Sequence, residues 1–316
     1  MMQYLIRKLF FLIFTVWAVV TIIFIGLHAL PGNPAEVLLS MQPNEQTLRL
    51  LEETMGLNQP LRTQYWLYIK DLLSGNLGKS LRTGQPILDV YLEVLPYTLI
   101  LAFASITVSI LIGVPIGMLA AVKRDTWWDY FARSFAVVGL SIPAFFLGVL
   151  LLLTFSVVLG WFPVMGVGKK GDLLDILYHL ILPAFSQGFI ISAFIMRISR
   201  SSFLEVLRQE YIEVARSKGL PESVVIFKHG LRNALVPIVT VIGLYFNVAL
   251  GSSIIIEVVF NRPGVGRILV EAILQRDYPL VQSTLVVLSF FIITVNTLTD
   301  LIYTAIDPRI SLTEKS

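Results

Sequence analysis

Few residues of this chain have the type and spacing that catalysis needs. Gly78-Lys79-Ser80 matches the end of a phosphate-binding loop, but the glycine required five residues before Gly78 is Leu73, and no strand pattern precedes it. The three histidines are scattered without metal-ligand spacing, and the chain has no cysteine. No carboxylate pair or Ser/His arrangement indicates hydrolysis. We therefore expect a protein that is not an enzyme and binds no metal or cofactor itself.

The informative chemistry lies in a basic segment between two strongly apolar stretches, residues 213–232, which read EVARSKGLPESVVIFKHGLR. We call this segment the polar turn. Ala215 to Lys218 continue a helical pattern, and Gly219 can adopt the left-handed conformation that ends a helix. Pro221 suits the first turn of a second helix, with Glu222 favourable near its positive end. The sequence predicts a compact helical knob that a soluble protein could bind.

The elements around the polar turn are predicted to cross a membrane. Hydrophobic residues make up 56% of the 316 residues and charged residues 14%, compared with about 25% charged in soluble domains. Uncharged apolar runs of about 20 residues are long enough to span a bilayer. We predict an all-α membrane protein with six spans, the last continuing to Ile306: Leu9–Ala29, Tyr97–Val122, Phe135–Phe162, Ile176–Met196, Ala234–Ile256 and Leu280–Thr299.

The first span and the loop after it form the predicted N-terminal region, residues 1–96. The apolar run of 21 residues is longer than a signal-peptide core of about 7–15 residues, so we expect a retained helix. Gln46–Gly56 and Pro60–Leu73 have helical spacing, which indicates a small extracytoplasmic cap. Residues 97–306 form the predicted core, with a cytoplasmic loop at 197–233, and residues 307–316 form a tail.

The distribution of Lys and Arg predicts the orientation. Six spans place both termini on one side, and 14 of the 24 Lys and Arg lie in segments on that side, seven of them between Arg197 and Arg232. The remaining 10 include five in the long first loop, and long loops are translocated largely regardless of charge. We therefore expect both termini and the polar turn to be cytoplasmic.

Prolines within the predicted spans leave two interpretations open. Pro115 (between Gly113 and Gly117), Pro143 and Pro183 are each expected to break helical hydrogen bonding, which is tolerated beside a water-filled cavity. Alternatively, the small residues around Pro115 allow close packing of helices. Polar residues in or near the spans are candidates for a translocation path, namely Ser141 with Pro143, Asn247 and Asn296. Asp300 should face protein or water, because a charge in lipid is costly.

With six spans and a helix–Gly–helix turn before the fifth, the chain resembles the permease subunits of bacterial ABC importers. Their EAA loop, a coupling helix, reads E-A-A, three residues, Gly, nine residues and I-x-L-P. Four positions here keep both type and spacing: Glu213, Ala215, Gly219 and Leu231. Two depart, because His229 and Arg232 stand in place of Ile and Pro.

At these departing positions the sequence resembles the peptide/nickel branch of the family. Its A-R-x-K-G and H-x-L-R-N-A-L-x-P motifs match Ala215–Gly219 and His229–Pro237. The long first loop resembles the dipeptide/oligopeptide B-type subunit. Further matching stretches cover nearly the whole chain: Tyr4–Phe10, Leu30–Pro34, Leu57–Pro60, Gly75–Ser80, Ser141–Pro143, Gly160–Pro163, Arg276–Pro279 and Asp307–Arg309.

The resemblance implies a type I importer permease in a bacterial cytoplasmic membrane. It implies a second homologous permease, two cytoplasmic ATPases that bind ATP and Mg²⁺, and an extracytoplasmic binding protein. Di- or oligopeptides are the implied substrates, with nickel chelates, glutathione and opines as alternatives. The implied ATPase-coupling residues are Glu213, Ala215, Arg216, Lys218, Gly219, Leu220, Pro221, Glu222, Ser223, Phe227, Lys228, His229 and Arg232.

Two other classes of protein fit the residues less well. A gradient-driven transporter should show internal repeats and ionisable residues at mid-membrane, and the chain has no clear example of either. A DNA-binding helix-turn-helix at Ala215–Ala234 would need room for a separate domain, whereas apolar spans flank the turn closely on both sides. We expect no nucleic acid partner, and lipid around the spans.

Overall fold

The computed structural model describes residues 2–29 and 56–306, together with residues 46, 49 and 53. Within these residues the chain is almost entirely helical. Two π-helical segments, Leu152–Val158 and Val225–Leu231, interrupt or extend the α-helices. The α-helices are α1 Met2–Ala29, α2 Leu61–Leu73, α3 Ile87–Val122, α4 Trp127–Ser141, α5 Ala144–Leu151, α6 Leu173–Leu207, α7 Glu210–Ser217, α8 Glu222–Val224, α9 Arg232–Val259, α10 Val265–Gln275 and α11 Tyr278–Ile306.

Five of the described helices are long and apolar enough to cross a membrane, and a bent pair brings the number to six if it forms one span. The first predicted span coincides with the apolar part of α1, and the second, fourth, fifth and sixth lie within longer helices. The fourth predicted span, Ile176–Met196, lies inside a longer helix, because α6 continues to Leu207. At about 1.5 Å per residue its 35 residues exceed a bilayer core of about 30 Å.

The predicted single helix at Phe135–Phe162 is also wrong. The structure has α4, a break at Ile142 and Pro143, and then α5 with its π-helical extension, and the two parts are bent by 96°. Ile142 has extended backbone angles because the residue before a proline is disfavoured in the helical region. Pro143 then begins α5 as its N-cap residue. The break changes the direction of the chain beside Ser141.

The chain divides into two compact units, which we describe separately. The first contains residues 1–96 and 264–297. Its core has Ile87, Tyr91, Val94 and Val265 at the centre. The buried Asp277 carboxylate accepts the Ser80 hydroxyl at 2.6 Å and also caps α11 through the backbone N–H of Leu280. Two stretches that are distant in sequence, residues 75–80 and 276–279, are thereby held together.

The second unit contains residues 97–263 and 298–316, and α6 is its central helix. Glycines allow α3 to approach α6 closely. A Cβ atom at Gly117 would lie 2.5 Å from the Met196 carbonyl oxygen, and one at Gly113 would lie 2.7 Å from that of Ser192. The close-packing interpretation of these glycines is therefore confirmed.

Pro115 and Pro183 lie inside continuous helices, so the hydrogen bonds that they break do not end either helix. Pro183 lacks an N–H and so leaves the carbonyl of His179, four residues earlier, without its helical donor. The buried Arg262 guanidinium donates to that oxygen at 3.2 Å. A side chain distant in sequence thus replaces the missing hydrogen bond.

Several predictions lie outside the described residues. The predicted helix Gln46–Gly56 falls almost entirely there, as do the Leu30–Pro34 and Asp307–Arg309 stretches and the side chain of Asp300. The other helix predicted in the first loop is confirmed as α2, Leu61–Leu73.

Candidate functional site

The polar turn folds as a short helix, a left-handed residue and a second helical segment. α7 ends at Ser217, and Gly219 has φ +73°, as its sequence position predicted. The backbone N–H groups of Gly219 and Leu220 donate to carbonyls of α7, at 2.9 Å and 3.4 Å. Pro221 precedes α8 as its N-cap residue, one position earlier than the predicted first helical turn. The chain therefore reverses direction in a tight turn, in which the backbone N–H groups of Gly219 and Leu220 are hydrogen-bonded.

The polar turn has a small core of its own. Ile212 and Ala215 from α7 and Val225 from the π-helical segment are buried together. Gly230 is also buried, and its position would bring an added Cβ to within 3.7 Å of Phe203 on α6. A displacement of the turn would therefore expose apolar surface, which favours movement of the turn as one body.

An ion pair closes the turn across Gly219. The Arg216 guanidinium donates to both carboxylate oxygens of Glu222, at 3.2 Å and 2.8 Å. The hydrogen bond to this carboxylate raises the pKa of Arg216 above its ordinary value. Both side chains are about half exposed, so we assign the pair a role in geometry and expect a contribution of at most about 1 kcal/mol to stability.

The outer face of the turn is open to solvent and partly apolar. Val214, Leu220 and Phe227 are 52%, 37% and 56% exposed. Among the predicted coupling residues, Ala215 is buried and supports the core, and His229 is half-buried. The others on this face are exposed: Glu213, Arg216, Lys218, Gly219, Pro221, Glu222, Ser223, Lys228 and Arg232. Apolar side chains ringed by charges are typical of a protein-binding surface.

The turn is attached to the membrane-spanning helices at its base. The Asn233 side chain, at the start of α9, donates to the Tyr211 hydroxyl of α7 at 2.7 Å. Ile226 and Leu231 pack on a cluster that contains Phe203 of α6 and Ala234 of α9. A force on the turn would therefore reach α6 and α9 directly.

Sequence reasoning missed an ionic cluster on α4. Asp129 is fully buried, and its carboxylate accepts from Arg200 of α6 at 2.6 Å and 2.8 Å and from Arg133 at 2.7 Å. It also accepts the backbone N–H of Asp125 at 3.1 Å. These contacts join the short loop after α3 to the helix that leads into the polar turn. The signal in the sequence was the i, i+4 spacing of Asp129 and Arg133. Their partner Arg200, 71 residues after Asp129, could not be identified from that spacing.

The predicted path residues are not brought together by their contacts. Ser141 and Pro143 are exposed beside the helix break, and Asn296 is exposed on α11 in the other unit. Asn247 is half-buried and donates to the Gly243 carbonyl, but its side-chain oxygen is buried without a partner within the described residues. Their role in translocation stays a prediction.

Two buried polar groups that the sequence did not single out join the helices of the second unit. Gln187 of α6 donates to the Ala249 carbonyl and to the Ser252 hydroxyl, both at 2.6 Å, and accepts from Ser105 at 2.8 Å. Glu257 accepts the Thr98 hydroxyl at 2.6 Å. Buried side chains with satisfied hydrogen bonds hold α3, α6 and α9 together in an apolar surrounding.

Comparison with known proteins agrees with this architecture. The family described as "Binding-protein-dependent transport system inner membrane component" matches residues 113–312, and its N-terminal companion matches residues 1–102. The chain belongs to this family of ABC importer permeases. Glutathione transport system permease proteins GsiC of Escherichia coli K12 and Salmonella typhimurium LT2 are each 40% identical to it over 310 residues, 98% of this chain and 99% of theirs.

Solved structures of importers share the fold of this permease. An inward-facing MetNI methionine ABC transporter chain gives a TM-score of 0.59 at 20% identity, covering 70% of this chain and 98% of its own. An amino acid ABC transporter with histidines gives 0.54 at 18% identity, covering 69% and 94%. The permease is therefore an all-α, multi-pass inner-membrane subunit, and the family implies ATPase and substrate-binding subunits as its partners.

Proposed function

We propose that this permease carries small peptides inward across the cytoplasmic membrane, with glutathione as the leading candidate among them. The full-length 40% identity to glutathione transport permeases supports this substrate class. Longer peptides and nickel chelates are the alternatives, because a separate binding protein selects the solute in this design. The second homologous permease supplies the other side of the path.

The geometry of the polar turn supports its role in coupling ATP hydrolysis to transport. Its buried core of Ile212, Ala215 and Val225 makes it a compact body, and Phe227 with Val214 gives it an exposed apolar face. We infer that this face docks on a cytoplasmic ATPase. The basic side chains of Lys218, Lys228 and Arg232 surround it and favour an acidic rim on the ATPase.

The transport cycle then follows from rigid-body motion. ATP and Mg²⁺ bind to the two ATPase subunits, and closure of the ATPase dimer draws the two polar turns together. Because the base of each turn packs on α6 and α9, that movement re-orients these helices and opens the path outward. Hydrolysis separates the ATPases and opens the path inward.

The test uses the complete importer in proteoliposomes, with ATP inside and the binding protein outside. We expect ATP-dependent uptake of labelled glutathione, competed by short peptides and not by nickel chelates. Uptake of nickel chelates alone would overturn the peptide assignment. Coupling is tested separately with Ser223→Cys in this cysteine-free chain, which should form a cross-link to an ATPase. Absence of that cross-link in a transporting complex would overturn the docking assignment.

A further inference from the structure

The central helix of the second unit leaves a stripe of side chains exposed in its cytoplasmic half. In the most apolar 18-residue stretch of α6, 67% of the residues are buried, compared with 33% or less in the corresponding stretches of the other long candidate helices. On its cytoplasmic half, Arg197, Ser201 and Glu205 are exposed at four-residue spacing, with Phe194 half-buried just before them. Residues at this spacing share one face of a helix. Within the cytoplasmic half of α6, the open stripe (residues 194, 197, 201 and 205) is therefore the part that can meet something outside this unit.

Arg197 lies on an aromatic platform within the open stripe. Its guanidinium carbon is 5.9 Å from the centre of the Phe194 ring, and the Phe194 and Tyr245 rings lie 4.8 Å apart with planes inclined by 31°. The platform therefore combines side chains of α6 and α9, the two helices at the base of the polar turn. A guanidinium over an aromatic face is held by cation–π attraction while its N–H groups stay available.

The charge of Arg197 has no acidic partner within the described residues. Arg200, one turn further along α6, shows the contrast, because both of its donating nitrogens bind Asp129. Glu205 lies eight residues beyond Arg197, about 12 Å along the helix at 1.5 Å per residue, and the Ser201 hydroxyl donates to the Ile198 carbonyl. Arg197 thus presents a free guanidinium at the inner end of a membrane-spanning helix.

A planar guanidinium with free N–H groups matches the geometry of a carboxylate. We propose that Arg197, with Phe194 and Tyr245, binds the carboxylate of a small peptide during its passage. Every peptide with a free C-terminus has this group, so the site serves the whole class. The proposal rests on the proposed function, because it assigns the substrate contact on this chain's side of the path.

The competing ligand is a phospholipid phosphate, and the structure favours a carboxylate. A cation typical of a lipid contact is Lys123, whose ammonium lies 5.4 Å from the centre of the Trp128 ring, beside a Trp127 side chain that is 70% exposed. Tryptophans of this kind are characteristic of the membrane surface. The platform of Arg197 instead lies on α6, whose most apolar part is two-thirds buried among the described residues. Lys123 therefore provides a matched control.

The first experiment asks what lies beside the platform during turnover. Phe194→p-benzoylphenylalanine is introduced into the complete importer in proteoliposomes, which is illuminated while it transports a labelled peptide. We expect label on this chain, lost with excess unlabelled peptide. A cross-link to phospholipid or to the partner permease, with no peptide label in a complex that transports, overturns the proposal. A wild-type complex that transports no peptide overturns the proposed function instead.

The second experiment identifies the group that Arg197 binds. Uptake of a peptide acid and of its C-terminal amide is measured for each variant, and each rate is divided by the wild-type rate for the same substrate, which cancels selection by the binding protein. We expect Arg197→Gln to lower acid uptake by about tenfold, the loss typical of one charged hydrogen-bonding partner. Uptake of the amide should be nearly unchanged, Arg197→Lys should restore part of the acid uptake, and Lys123→Gln should affect neither. Equal losses for acid and amide overturn the proposal.

Discussion

At the scale of single residues, Gly219 decides whether the polar turn keeps its shape. Its φ of +73° is in the left-handed region, and no atom lies within 4 Å of the position of an added Cβ. A side chain there would therefore meet backbone strain of about 1–2 kcal/mol and no steric clash. The consequence of a substitution should be local, because the strain lies in the backbone of the turn and no neighbouring atom would be displaced.

We expect Gly219→Val to leave membrane insertion intact and to uncouple transport from ATP hydrolysis. The measurement is substrate-stimulated ATPase activity together with uptake in the complete importer, and we expect both to fall at least several-fold. Gly171→Val is the matched control, since Gly171 also has a positive φ (+92°) and open space around it but lies far along the chain from the turn. Wild-type uptake and ATPase stimulation in the Gly219 variant would contradict the coupling role.

At the scale of elements, the contact between α3 and α6 depends on glycine. Gly117 lies against the Met196 carbonyl, whereas Gly251 on α9 has nothing within 4 Å of an added Cβ. Both positions are helical with ordinary backbone angles, so alanine improves helix propensity by about 1 kcal/mol at each. The two sites therefore differ in burial and in the space available for a side chain.

We expect Gly117→Ala to lower the melting temperature of the purified chain in detergent, because overpacking a helix contact costs about 1–3 kcal/mol. Gly251→Ala should leave it unchanged or raise it slightly. The measurement is thermal unfolding of both variants and the wild type under one condition. An equal response at the two positions would show that the close approach of α3 and α6 is not maintained in the membrane protein.

The orientation of the helices is a further prediction at this scale. Gln59, before α2, and Ser223, in α8, are both exposed and lie on opposite sides in the predicted topology. We expect Gln59→Cys to react with an impermeant thiol reagent in intact spheroplasts and Ser223→Cys to react only after lysis. The wild-type chain has no cysteine and serves as the blank. The opposite labelling pattern would show that the polar turn is not cytoplasmic and would contradict the proposed ATPase contact.

At the scale of the whole molecule, the chain should be unable to drive uptake alone. Accumulation against an about hundredfold gradient costs about 2.7 kcal/mol, from about 1.4 kcal/mol per tenfold step. Among the described residues of the second unit, the buried acidic side chains are Asp129 and Glu257, and both accept hydrogen bonds from neighbouring side chains. We therefore expect the energy to come from partner subunits.

We expect the purified chain in liposomes to accumulate no peptide, with ATP or with an imposed proton or sodium gradient. The complete importer in the same lipid, supplied with ATP, is the positive control. Uptake is followed with a labelled peptide over several minutes. Accumulation by the chain alone under an ion gradient would establish a secondary transporter and contradict the dependence on ATPases.

Features that depend on neighbouring residues were predictable from the sequence by itself. Apolar runs identified the spans, because a chain segment in lipid forms a helix that satisfies its own backbone hydrogen bonds. Gly219 indicated the end of α7, because glycine adopts the left-handed conformation without strain. Tertiary structure decided the contacts between distant residues. Asp129 meets Arg200 across 71 positions, and Arg262 reaches the carbonyl that Pro183 leaves free. Such pairs follow from helix packing, because local spacing sets the face on which a side chain lies and only the packed helices set what that face meets.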